Sequence, residues 1–138
     1  TMKVNELMVG DWFKSVDYNA PFMITAIYND VVQTQADYQS EIYGNWYGEA
    51  EIKDLVPIPL TEEILVKNGF HTYGESYFIP EDKCNAHVRI GFHYRETVVD
   101  LHRHGAFSIQ ISYKPGMLYV HTLQHLLRER GIDKEIEL

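Results

Sequence analysis

Turn-forming residues cut the first sixty positions into segments too short for long helices. Gly10-Asp11, Asn19-Ala20-Pro21 and Asn29-Asp30 each favour a tight reversal, with apolar-rich stretches between them. The spacing predicts strands from Trp12 to about Tyr18, from Phe22 to Tyr28 and from Val31 to Gln35, then a fourth near Ile42 to Tyr47. Ile52-Lys53-Asp54-Leu55 fits one helical turn, and Val56-Pro57-Ile58-Pro59 a short closing strand. Five short strands with a helical turn before the last match a small SH3-like β-barrel over residues 2–59. A plain β-meander is the alternative. Pro57 and Pro59 cannot donate ladder hydrogen bonds, so the closing strand belongs at an edge.

Beyond residue 60 the pattern changes. Thr61 is an N-cap residue, Glu62 and Glu63 suit the positive end of a helix, and Asn68-Gly69 stops it. Strands are expected loosely over Tyr73–Ile79, then over Ala86–Tyr94 and Thr97–Arg103. Phe107–Tyr113 alternates apolar and polar residues as a half-buried strand does. A final helix runs from about Leu118 to Arg130 and ends at Gly131, with Tyr119, Val120, Leu123, Leu126 and Leu127 as its apolar stripe. The expected class is α+β: an N-terminal SH3-like barrel followed by an α-β-β-β-α unit, a helix–antiparallel sheet–helix arrangement over 60–138, packed on it. Ile58-Pro59-Leu60 is too short a junction for the halves to move independently.

Charge and composition remove several functions. The formal net charge is -8, and no more than two basic residues are adjacent, so holding a phosphate backbone is disfavoured. No apolar run approaches the roughly 20 residues of a spanning helix, and no leader pattern opens the chain. A single cysteine, Cys84, rules out an intramolecular disulfide or a cysteine-based zinc cluster. Its acidic setting, Glu81-Asp82-Lys83-Cys84-Asn85, would raise a thiol pKa, so a bland loop cysteine is expected there rather than a nucleophile. A reducing cytoplasm is the expected compartment, with Met2 as the natural start. Gly-rich phosphate loops and a G-x-S-x-G elbow are missing from the sequence.

Seven histidines are the chemically suggestive feature. If Ala86–Tyr94 and Thr97–Arg103 pair as a hairpin with partner numbers summing to 191, His87 faces His104 and Arg89 faces His102. Directly opposed side chains sit about 5 Å apart at Cβ, close enough for imidazoles to share a metal. A divalent ion such as zinc on His87, His102 and His104, with Asp100 nearby, is one reading. The other is a solvated sheet face, which Arg89 favours, since a fixed cation opposes a dication unless a carboxylate intervenes. His121 and His125 stand at i and i+4 on the final helix but lack the Glu of H-E-x-x-H proteases. They lie about 180° from the centre of the expected apolar stripe and should face water.

Three segments resemble a family of short bacterial and phage-borne or mobile-element proteins. They are Met2-Lys3-Val4-Asn5-Glu6-Leu7-Met8-Val9-Gly10-Asp11, Pro57-Ile58-Pro59-Leu60-Thr61-Glu62-Glu63-Ile64-Leu65, and Tyr119-Val120-His121-x-Leu123-Gln124. The resemblance implies an accessory background and brings no chemistry with it. In similar proteins the position of His125 is often Asn.

Binding is expected ahead of catalysis. An SH3-like barrel offers an aromatic groove to an extended peptide, with Trp12, Tyr18, Tyr43, Trp46 and Tyr47 as candidate lining. The competing reading is that most of these rings fill a small core. The expected partner is a protein or peptide, with no obligatory cofactor. Metal-dependent hydrolysis at the strand histidines is the alternative.

Overall fold

The computed structural model describes residues 2–16, 18–40, 44–79, 86–103 and 109–138. They form an α+β chain that divides into two compact units, Thr1–Ile58 and Pro59–Leu138.

In the first unit five antiparallel strands follow one another: β1 (Trp12–Ser15), β2 (Tyr18–Tyr28), β3 (Val31–Ser40), β4 (Gly44–Glu51) and β5 (Leu55–Pro57). Their order is β4-β3-β2-β1-β5, so β4 and β5 are its edges among the described residues. A 3-10 turn over Ile52–Asp54 precedes β5, as the sequence predicted, and Pro57 lies on the edge strand opposite Phe13. Asn29 takes a positive φ at the β2–β3 turn, a conformation its short side chain tolerates.

The entry turn is held by a buried acid. Asp11 accepts a hydrogen bond from the Met8 amide at 2.8 Å, while its own carbonyl accepts from Ile24 at 2.9 Å. Gly10, at φ +93°, donates to the Ile24 carbonyl. The core beneath is Leu7, Phe13, Phe22, Ile24, Val32, Ile52 and Leu55. Strand β4 runs to Glu51, beyond its expected end, because its pairing with β3 continues through Gly48, Glu49 and Ala50.

The second unit holds helix α1 (Glu62–Lys67), strands β6 (His71–Tyr73), β7 (Ser76–Ile79), β8 (Ala86–Phe92), β9 (Thr97–Arg103) and β10 (Ile109–Tyr113), and helix α2 (Val120–Glu129). The sheet order is β10-β9-β8-β7-β6, all antiparallel. The single strand expected over 73–79 is therefore a hairpin: Gly74, at φ +60°, turns the chain back, and His71–Tyr73 pairs with Ser76–Phe78. Val88, Ile90, Val99 and Leu101 are buried on one side of the sheet. Both helices lie on that side. The Tyr77 phenol, held above its ordinary pKa first by its bond to Glu62, reaches α1, and the Tyr113 phenol is raised first by burial and then by Glu129 of α2.

Each helix ends in the same way. Phe70 donates to the Leu65 carbonyl and Gly69 to that of Val66; Ile132 donates to Leu127 and Gly131 to Arg128. These are paired Schellman motifs, with Gly69 and Gly131 at φ +82° and +71° and a buried apolar residue just beyond each. The extended tail after α2 is then fixed by two side-chain amides. Gln124 donates to the Lys134 carbonyl at 2.9 Å and accepts from Ile136 at 2.7 Å. Asn68 donates to the Glu137 carbonyl and accepts from its amide, both at 2.8 Å.

Gln124 corrects the expected helical stripe. The buried side of α2 is Val120, Leu123, Gln124 and Leu127, with Leu126 only half-buried. At about 100° per residue, an inward Gln124 turns the buried face toward His121. His121 and His125 consequently stand half-buried on its flank rather than facing water.

Candidate functional site

Register, more than any local motif, decides which side chains share a face. In the first unit Trp12 lies opposite Met23, Met23 opposite Gln35, and Gln35 opposite Tyr47, one row across four strands. Phe13 is fully buried in the core, so the neighbouring Trp12 is directed to the other side of the pleat, where Trp12, Met23 and Gln35 are half-buried. Trp46 pairs with Ala36 in the adjacent row. Trp12 and Trp46 thus do not share one register row, whereas the positions of Trp12 and Tyr47 do. Tyr18 begins β2 opposite Ser15, away from that row. Tyr43 lies outside the described residues.

This unit is acidic, with nine Asp and Glu against three Lys and no Arg in residues 1–58. Glu49 and Glu51 on edge strand β4 are exposed, and Lys53 stands 3.0 Å from Glu51 with both groups in solvent.

In the second unit the hairpin β8–β9 is closed by His93 donating its amide to the Glu96 carbonyl, and Phe92 pairs with Thr97. Partner numbers sum to 189, two less than expected. His87 faces His102, and Arg89 faces Asp100. The faces are unchanged, because a two-residue slip preserves the period of two. The expected opposition of His87 to His104 does not occur, and His104 itself lies outside the described residues.

A row now spans all five strands on the polar side: His71, Phe78, Arg89, Asp100 and Gln110. The His71 ring meets Phe78 at 5.8 Å. Arg89 donates from Nε to Ser76 Oγ at 3.2 Å, and Ser76 pairs with Gly91. The guanidinium stem therefore leans along β8 away from His87. His93 folds back over Gly91, where a Cβ would meet its Nε2 at 2.7 Å, and its Nδ1 lies 3.5 Å from Glu75. Ser112 donates to Glu96 at 2.6 Å. His71, Phe78 and His93 were not expected here, since strand pairing alone brings them to this face.

Among the described residues no group of three or more His, Cys, Asp or Glu side chains is placed to hold a metal ion. None of the helices among them is long and apolar enough to cross a membrane. Comparison of the chain with protein-family models, curated proteins and solved structures yields no match.

Proposed function

We propose that the chain is a non-enzymatic interaction module whose first unit is an SH3-like barrel binding an extended, basic peptide across the Trp12 row. The strand order β4-β3-β2-β1-β5, with a 3-10 turn immediately before β5, carries this reading. The long β2, bulged between Ile24 and Ala26, supports it, because a bend of that kind lets one strand serve two sheets. A half-buried Trp12 on a face of an acidic unit, with Glu49 and Glu51 exposed on its edge strand, favours ligands with Lys or Arg spaced along an extended backbone. An accessory role in a bacterial or mobile-element system is the setting that the family resemblance suggests.

The test is an NMR titration of the whole protein with arrays of extended Lys- and Arg-containing peptides. A bound peptide should shift the Trp12 indole resonance, and Trp12→Ala should weaken binding by about thirtyfold, the effect of losing an aromatic hot spot of roughly 2 kcal/mol. Absence of any indole shift at millimolar peptide would sink the proposal.

A second reading places a divalent ion on the strand histidines. Two observations favour it: His87 directly opposes His102, and Asp100 intervenes beside Arg89. It predicts that His102→Ala removes zinc binding in the titration described next.

A further inference from the structure

The histidines held in the more defined arrangement are those of α2. His121 and His125 lie one turn apart, about 6 Å along the axis, with ring centroids 5.7 Å apart and planes at 78°. Tyr119 stacks on His121 at 5.9 Å with its ring only 9° from parallel. Tyr119 is itself tied down: its hydroxyl contacts Met117 Sδ at 3.3 Å, and its backbone bridges to Pro59. The Nδ1 atom of His121 is shielded from solvent. Both imidazoles are half-buried because the inward Gln124 rotates α2, so each has already given up rotamer freedom that a loose surface pair would lose on chelation.

We propose that His121 and His125 form a two-imidazole site for a late first-row divalent cation, with water filling the remaining positions. Helical imidazoles at this spacing can meet one metal at about 2.0–2.1 Å each. Local charge does not oppose it. Arg128, on the next turn, is engaged by Glu135 at 3.0 Å, and Glu129 continues the same stripe beyond His125. Imidazole donors and divalent preference give the order Cu2+ above Ni2+ and Zn2+. The site is separate from the strand histidines and does not depend on the peptide-binding reading.

The experiment is calorimetric titration of tag-free, full-length protein with Zn2+, Ni2+ and Cu2+, beside His121→Gln, His125→Gln and His102→Ala variants. Melting curves without metal show that each variant folds. The expected result is one equivalent bound, with affinity reduced about tenfold or more in either helical variant, as for any lost chelate arm worth roughly 1.4 kcal/mol, and unchanged in His102→Ala. Electron paramagnetic resonance of the Cu2+ complex should report two nitrogen donors, independently of any variant. Wild-type binding that survives in His125→Gln, or is lost only in His102→Ala, overturns the helical site. So does an absence of saturable binding.

Discussion

Gln124 occupies a core position, 2% exposed, because it acts as a strand neighbour. Its side-chain amide supplies one donor and one acceptor to the tail, at Lys134 and Ile136, in place of a second β-strand. Gln124→Leu would keep the volume apolar yet strand the Ile136 N–H and the Lys134 carbonyl. Each buried unsatisfied group costs about 1–3 kcal/mol. We expect Gln124→Leu to lower stability by about 2–4 kcal/mol in urea unfolding. A neutral or stabilising result would show that the tail pairing contributes little. Asn68 acts similarly at the other end, with an added bond from Nδ2 to the Ile64 carbonyl that caps α1.

At the level of elements, the helix ends make a cleaner test than the helix interiors. Gly131 is at φ +71°, and a Cβ there would meet nothing within 4 Å. Gly131→Ala therefore isolates the left-handed backbone cost, about 1–2 kcal/mol, with Gly131→Asn losing less. Thermal melts of the two variants check both the size and the order.

Most strands, both helices and the 3-10 turn could be read from the sequence, because turn residues and caps act within a few positions of themselves. The β6–β7 hairpin could not, since Gly74-Glu75 sits in a segment whose aromatics look continuous. Register was less legible than element identity. The bond from His93 to Glu96 closes the β8–β9 hairpin at 93–96, and that closure makes His87 the register partner of His102. Rows such as Trp12–Met23–Gln35–Tyr47 join residues far apart in sequence, and no local pattern marks them. The helical stripe differs from the expected one for a related reason: Gln124 is polar yet buried, which residue type alone does not mark.

Over the whole molecule the two units differ in how far their closing contacts reach. The first is built from neighbours in sequence, apart from β1 with β5. The second is completed by Asn68 joining Glu137 across 69 positions, with Ile136 buried beside it. Loops of that size are costly to close and tend to form late. Ile136→Val, a loss of about 1 kcal/mol, should then speed unfolding by roughly fivefold and leave the folding rate nearly unchanged. A slowed folding limb in stopped-flow measurements would place the tail in the folding nucleus instead.

Synthesis gives this reach a direction. A chain leaving the ribosome can finish its first sheet soon after Pro57 emerges. Helix α1 and most of the sheet of the second unit appear well before the residues that fasten them, and α2 only just before. For those 69 positions Asn68 presents an open amide to the cell, and any extended segment with free backbone groups can compete for it, whereas Gln124 is 12 positions from its tail partner Ile136. The tail then fills both sites and closes them to further pairing.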